Sequence, residues 1–400
     1  MARSETMTQT WDGFWTPAAG TGPAADSHSA SPDVALPLVM QPVPCELWDT
    51  FAANFDGICQ EQTYAFASQR WPAVNHEPYL FRQGEQVIGG VLVMVPRMPL
   101  GLTPLAVINW GPIFKHAQTP DRAAAYRAML DLLVREYADR RRMLMTVQAR
   151  AVTDGDDFQR DSLKARGFVT GSVLPFPNRY IVRLEDTDAA QRKSLHQKWR
   201  YHLSKSEKEG LVFEHAGPDA MQRFARLYEA MSDRKNFPDY SAYATLPHLL
   251  AMSQQELRPE LFFVRRGDET VAGAAIFKAG DTAVYLYGAT SDRALPLRAG
   301  YFMHWHIMRW LQQNTRTRWY DLGGSDGFQG LHQFKKGMVG ETGVIPQLPP
   351  RFNYAAGRLP YMLGMGIFAV RDFALAAKWL ILSPWDKRAK PDLPRGATDQ

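Results

Sequence analysis

The 400-residue chain reads as a mixed α/β protein built from two related halves. Three observations predict this. A strand–turn–strand pattern occurs twice. Tyr79 to Glu85 (YLFRQGE) leads into Val87 to Val91 (VIGGV), and Phe262 to Asp268 (FFVRRGD) leads into Val271 to Ala275 (VAGAA), with one residue extra in the second turn. Apolar runs split by a Gly-acidic pair read as β-hairpins. Each hairpin is then followed by the same order of elements, which favours a duplication over two unrelated hairpins. Finally, a chain of this length is expected to form two domains.

The elements follow in order. Residues 1 to 35 are rich in Ala, Gly, Ser, Thr and Pro and are expected to be a disordered tail, with Trp11, Phe14 and Trp15 docking back or binding a partner. Residues 36 to 185 form the first half. After its hairpin come a strand (Leu105 to Trp110), a helix (Pro120 to Arg141), a strand (Met143 to Gln148), a short helix (Phe158 to Arg166) and a strand (Tyr180 to Leu184). Residues 186 to 354 form the second. It opens with a helix, Arg192 to Glu209, whose Leu195, Trp199, His202/Leu203 and Ser206 make one packing stripe. Lys193, Lys198, Arg200, Lys205 and Lys208 lie mostly off that stripe, and Gly210 suits the position after the helix. The basic face is either solvated or meets phosphate. After the second hairpin come a strand (Ala283 to Ala289), a helix (Gly300 to Gln313), a strand (Arg318 to Leu322), a short helix (Leu331 to Met338) and a strand near Val344. Residues 355 to 400 form an apolar, basic, helical tail.

Composition excludes several classes. Hydrophobic residues at 45% and charged residues at 22% are ordinary for a globular protein, and a net charge of +5 is mild. No specific DNA binding is expected. Two cysteines, Cys45 and Cys59, provide no disulfide framework and point to a reducing cytoplasm, a single bridge between them being the alternative. The N-terminus lacks the apolar core of a signal peptide. No run reaches the ~20 apolar residues of a membrane span. The longest runs, Leu359 to Val370 and Phe373 to Leu382, have Arg351, Arg358, Lys378, Lys387 and Arg388 around them. They suit either a helix in a membrane interface or one packed on the body.

The segment Trp319 to Gly340, WYDLGGSDGFQGLHQFKKGMVG, concentrates the chemistry. An acid ends a strand, glycines crowd the turn, and two lysines follow. Tyr320, Asp321, Gly323, Gly330, Leu331, Phe334, Lys335, Lys336 and Gly337 resemble, in that order, the C-terminal pattern of the Fem-type peptidoglycan-bridge aminoacyltransferases, also described as having a BioF2-like acetyltransferase domain. Leu195 to Gly210 resembles that family's basic helix, and Asn109-Trp110-Gly111-Pro112 its Gly-Pro turn. The resemblance covers about residues 45 to 350. It implies two tandem GNAT-like mixed-sheet domains, each with a meander, long helix, strand, short helix and strand.

It also implies acyl transfer without an enzyme nucleophile. Such a reaction needs a proton acceptor for the amine and donors for the carbonyl oxygen. No GxSxG occurs, and neither cysteine has a motif around it. Asp321 is the candidate proton acceptor; its alternative role is to cap or to pair with a lysine. Lys335 matches the lysine that the family places near the acyl carbonyl; its alternative is a surface salt bridge. Lys336, about 100° away on a helix, cannot share that role. Gly323, Gly324, Phe334 and Lys336 are expected near substrate. Tyr285 and Tyr287, two apart on one strand, are expected on one face, lining the cleft or filling the core. A GNAT unit holds the CoA pyrophosphate at the start of its long helix. Here that place reads Ser291 to Gly300, with Arg293, Arg298 and Gly300 as the phosphate candidates. Pro296 and Leu297 replace the flexible glycines expected there, which counts against CoA. No metal site is expected, because His304 and His306 point to different helix faces, as do His196 and His202.

The expected activity is therefore N-acylation, namely aminoacyl transfer to an amine of a peptidoglycan-type precursor. The donor would be aminoacyl-tRNA or acyl-CoA as co-substrate, with no bound cofactor. The alternatives are an acyl-CoA-dependent N-acyltransferase of exopolysaccharide or lipid synthesis, and a silent scaffold at the membrane. Residues 358–382 are the expected peripheral membrane contact, at the inner face.

Overall fold

The computed structural model describes residues 37–98, 103–116, 119–155, 157–235 and 242–382. The expected N-terminal tail, with Trp11, Phe14 and Trp15, and the last residues, with Lys387 and Arg388, lie outside these. The strands are β1 (Leu38–Pro42), β2 (Val74–Gln83), β3 (Gln86–Pro96), β4 (Leu105–Asn109), β5 (Ile113–Phe114), β6 (Leu144–Gln148), β7 (Val169–Thr170), β8 (Ile181–Arg183), β9 (Leu211–Ala216), β10 (Glu260–Arg266), β11 (Glu269–Phe277), β12 (Thr282–Thr290), β13 (Trp319–Asp321) and β14 (Arg351–Tyr354). They form two mixed sheets. The first runs β1-β2-β3-β4-β6-β14-β7, with β5 beside β3, and the second runs β8-β13-β12-β11-β10-β9.

The duplication is visible in the hydrogen-bond register. Both hairpins turn through two residues, Gly84-Glu85 and Gly267-Asp268, and both glycines take φ of 58°. Both carry a bulge at the same place, after Phe81 and after Val264. The two turns are thus of equal length. The extra residue expected in the second turn does not exist, because Ile88, not Val87, matches Val271. In each half a parallel strand pair follows, β4 with β6 and β12 with β13, joined by a long helix. Those helices are Arg122–Leu133, which continues as a wider turn to Arg140, and Ala299–Asn314.

The last strand of each sheet departs from a simple tandem. The strand expected to complete the first half, β8, pairs antiparallel with β13 of the second sheet. The strand expected near Val344 is a single bridge to Ile181. It is β14 that closes the first sheet, between β6 and β7. Short strands carry little pattern of their own, so which edge they join is set by packing rather than by order along the chain.

Each sheet packs on its own long helix. Phe81, Val93, Ile108, Tyr126, Met129, Leu133, Val147 and Phe352 make one core, and Leu203, Phe262, Ile276, Trp305, Met308 and Tyr320 make another. A third joins Trp48, Phe55 and Leu92 of the first half to Leu249, Phe277 and Val284 of the second. The predicted helix from 192 to 209 is two helices, Asp188–Ser194 and Gln197–Ser206. The break falls at Leu195-His196, where the His196 amide donates to the Gly337 carbonyl at 3.0 Å. Arg200 donates to the Lys193 and Leu195 carbonyls that the break sets free. Leu195, Trp199, Leu203 and Ser206 are buried, so the packing stripe holds across it.

The C-terminal helix Arg358–Leu382 is continuous through Arg371. It sits so close to β6 that a Cβ on Gly364 would meet Leu144 Cβ at 2.4 Å. Its outer face exposes Leu359, Met362, Leu363, Val370 and Phe373, which fall on one stripe at helical spacing. No helix among the described residues is long and apolar enough to cross a membrane.

Candidate functional site

Strand β13, second from the edge of its sheet, delivers Asp321 to a glycine-rich turn, and the helix Gln329–Val339 follows that turn. Asp321 is buried and both its oxygens are engaged. One accepts from Arg179 Nε and Nη2, at 3.1 and 2.6 Å, and the other from the Gly323 amide at 2.8 Å. Gly323 takes φ of 73°, which lets the chain turn back to make that bond. Burial opposes the Arg179 charge, yet the Asp321 carboxylate outweighs it and holds the guanidinium above its usual range. The acid therefore acts here as an anchor, to an arginine rather than a lysine.

Lys335 is buried, while Lys336 is exposed. Lys335 Nζ donates to the Leu322 carbonyl at 2.6 Å and to the Gly324 carbonyl. Burial lowers its pKa to about 8, with the charge of Arg179 acting in the same direction against Asp326 and Asp321. A lysine has three N–H donors, so one remains after these two bonds. Lys335 thus shapes the 322–324 turn and keeps a donor at a partly desolvated cation. Gly324 lies against the Asn178 carbonyl, on the opposite wall of the turn.

A cavity of about 240 Å³ opens at this turn, lined by Phe176, Asn178, Tyr180, Ser325, Gly327 and His332 among others. Gly327 takes φ of 79°, and a Cβ there would meet the Phe176 ring at 2.7 Å. Tyr180 is fully buried, and its hydroxyl reaches His332 Nδ1 and Ser325 Oγ, the latter at 3.5 Å.

Behind the turn stands an aromatic column. His304 Nδ1 meets the Tyr320 hydroxyl at 3.0 Å, and its ring contacts those of Tyr285, Tyr320 and Phe334. Burial lowers the His304 pKa to about 3, with Lys335 adding, so the ring is neutral. Phe334 also packs on Trp199 and Tyr301.

The two strand tyrosines do not share a face. Tyr285 pairs with Ile276, while Tyr287 pairs with the adjacent Ala275. This bulge at Leu286 breaks the two-residue alternation. Tyr285 therefore packs in the core under the long helix, and Tyr287 packs with Phe224, Tyr228 and Tyr243 beneath the other face.

The phosphate candidates are dispersed. Arg293 is drawn to Glu269. Arg298 takes φ of 54° at the helix start and donates to His202 Nδ1 at 3.1 Å and to the Pro296 carbonyl at 3.2 Å. A Cβ on Gly300 would lie 3.7 Å from the Phe334 ring. Leu297 is buried and Leu295 exposed, where a phosphate loop would present amides.

A polar cluster joins the halves. Arg179 stacks over Trp110 at 5.6 Å, and Asn109 donates to Glu61 at 3.1 Å. Burial raises the Glu61 pKa, against the hydrogen bond from Trp110 and the charge of Arg179. The Asn109-Trp110 turn of the first half thereby reaches the Asp321 site of the second.

Sequence reasoning did not find Arg179, Tyr180, Ser325 or His332. His332 lies within the analysed motif, three residues before Lys335 and so on a neighbouring line of the helix; that spacing was the available signal. Arg179 and Tyr180 carried none, since nothing local ties β8 to β13. Among the described residues no group of three or more His, Cys, Asp or Glu could hold a metal ion.

Comparisons with known proteins accord with this geometry. The acetyltransferase (GNAT) domain family matches residues 189–336. A lipid II:glycine glycyltransferase of Staphylococcus aureus (strain bovine RF122 / ET3-1) is 23% identical over 244 residues, 52% of this chain and 52% of that protein. The chain thus spans about half the length of the curated relative it matches. The crystal structure of FemX superposes with a TM-score of 0.65 at 16% identity, covering 81% of this chain and 99% of that one. The C-terminal domain of a putative lysylphosphatidylglycerol synthetase from Agrobacterium fabrum gives 0.50 at 13%, covering 82% and 95%. These likenesses show the fold, a mixed α/β chain with two GNAT-like mixed sheets.

Proposed function

We propose that the second half catalyses N-acyl transfer, moving an aminoacyl group onto an amine of a peptidoglycan-type precursor. One observation carries this reading: a buried ammonium, Lys335, holds the turn after β13 through the Leu322 and Gly324 carbonyls, and that turn continues into the wall of a small cavity at Ser325 and Gly327. A cation there stabilises the oxyanion that forms when an amine attacks an acyl carbonyl, and a low-dielectric site strengthens that effect. The glycyltransferase relative and the FemX likeness support the same chemistry. The donor is aminoacyl-tRNA rather than acyl-CoA, since Pro296 lacks an amide and Arg293 is committed to Glu269. The exposed stripe Leu359, Met362, Leu363, Val370 and Phe373 rests on an anionic membrane surface, where a lipid-linked acceptor would sit.

A second reading has one observation in its favour. Asp321 is fully engaged by Arg179 and Gly323, as a turn retained only for structure would be. A silent scaffold would follow. The deciding experiment incubates the full chain with glycyl-tRNA or acetyl-CoA and a muramyl-pentapeptide precursor, lipid-linked or UDP-linked. A new amide detected by mass spectrometry with glycyl-tRNA supports the proposal. An amide with acetyl-CoA alone reassigns the donor, and none with either leaves the scaffold.

A further inference from the structure

We infer that His332 takes the amine proton in this reaction, with Tyr180 holding its ring. The inference rests on the acyl-transfer reading. Asp321 is a poor acceptor, because one oxygen lies 2.6 Å from a guanidinium nitrogen and the other receives an amide. Lys335 is occupied as a cation by two carbonyls. His332 differs from both. It is half-buried, it lines the cavity at the turn, and its Nε2 has no protein partner among the described residues.

With the Tyr180 hydroxyl directed to Ser325, the hydrogen-bond chain supplies the tautomer that this role needs. Tyr180 is fully buried and donates its hydroxyl hydrogen to Ser325 Oγ at 3.5 Å. Its oxygen is then free to accept from His332 Nδ1–H. A neutral imidazole with its hydrogen on Nδ1 presents a lone pair at Nε2. The two rings also meet edge to face, 5.7 Å between centroids, which fixes the imidazole plane. The cavity volume, about 240 Å³, is below the ~300–1,000 Å³ of pockets that enclose a whole small ligand. It suits the end of a chain, such as a primary amine, with Phe176 and Pro177 as an apolar wall.

The step balances without further reagents. The amine nitrogen attacks the ester carbonyl carbon of the aminoacyl donor, the C–N bond forms, and the carbonyl π pair moves to oxygen. Nε2 takes the proton that the nitrogen sheds. The carbonyl re-forms as the ester C–O bond breaks, and the imidazolium returns the proton to the leaving hydroxyl. His332 and Lys335 lie three residues apart on one helix, so acceptor and cation are set by the same element.

The test uses the full chain with glycyl-tRNA and the muramyl-pentapeptide precursor. His332→Ala should lower kcat by about 10²–10⁴-fold, the usual worth of a general base. Imidazole should restore turnover, and substituted imidazoles should do so in order of their basicity. His332→Gln, which can keep the bond to Tyr180, should match the wild-type melting temperature and remain inactive. Tyr180→Phe should lower kcat less than His332→Ala does, with KM unchanged. Wild-type kcat in His332→Ala, or a loss that no imidazole restores, overturns the assignment while leaving acyl transfer intact. A wild-type protein that makes no amide overturns the acyl-transfer reading, and the assignment with it.

Discussion

Raising the pH through 8 separates two roles for Lys335. The ammonium is buried, and its pKa falls from an ordinary 10.5 to about 8. That fall corresponds to about 3 kcal/mol of native-state penalty on the charged form at neutral pH. The sign follows from proton counts. Between pH 8 and 10.5 the unfolded chain binds this proton more than the native chain does, so native stability contributed by this group rises with pH across that window. Lys335→Met removes the titration. Urea unfolding of both proteins at several pH values should therefore show wild type gaining about 3 kcal/mol on the variant from pH 7 to beyond 10.5. Activity should move the opposite way. If the cation stabilises the oxyanion, kcat/KM falls about tenfold per pH unit above 8, and Lys335→Met loses ~100-fold at pH 7. The charges that act on the group are those of Asp321, Asp326 and Arg179. Turnover that rises through pH 8 would mean a neutral amine at work and would refute the cation role. A flat stability difference would refute the desolvation on which the magnitude rests.

Three further outcomes are expected. Arg179→Met leaves the Asp321 carboxylate buried and unpaired, which should cost about 3–5 kcal/mol in urea unfolding; wild-type stability would show that the pair does not anchor the turn. CoA should show no micromolar affinity by calorimetry, since the helix start offers Leu295-Pro296-Leu297 in place of free amides; a tight isotherm would promote acyl-CoA as donor. Replacing Leu359, Met362, Leu363 and Val370 together by Ser should release the protein from anionic liposomes without unfolding it, because all four are exposed. Wild-type binding should weaken with salt. Equal binding by the variant would remove the helix from any membrane contact.

The sequence determined most of the scaffold. The two hairpins, the long helices and the strand–turn–helix at 319–340 are local patterns, and alternation, helical spacing and Gly-acidic turns encode them within a few residues. The packing stripe at Leu195, Trp199, Leu203 and Ser206 was legible for the same reason, even though the helix under it breaks. Lys335 and Asp321 were legible as residues, from a motif, but not in what they bond. Tertiary structure decided the rest. The exchange of β8 and β14 between the sheets depends on which edge is open, and no local signal records an edge. The opposite faces of Tyr285 and Tyr287 follow from one bulge, which slips the register by a residue without changing any side chain. Arg179 and Tyr180 reach Asp321 and His332 only because β8 crosses to the second sheet, more than 140 residues away in sequence. The site is therefore written in one segment of the chain and completed by another, brought to it by long-range pairing.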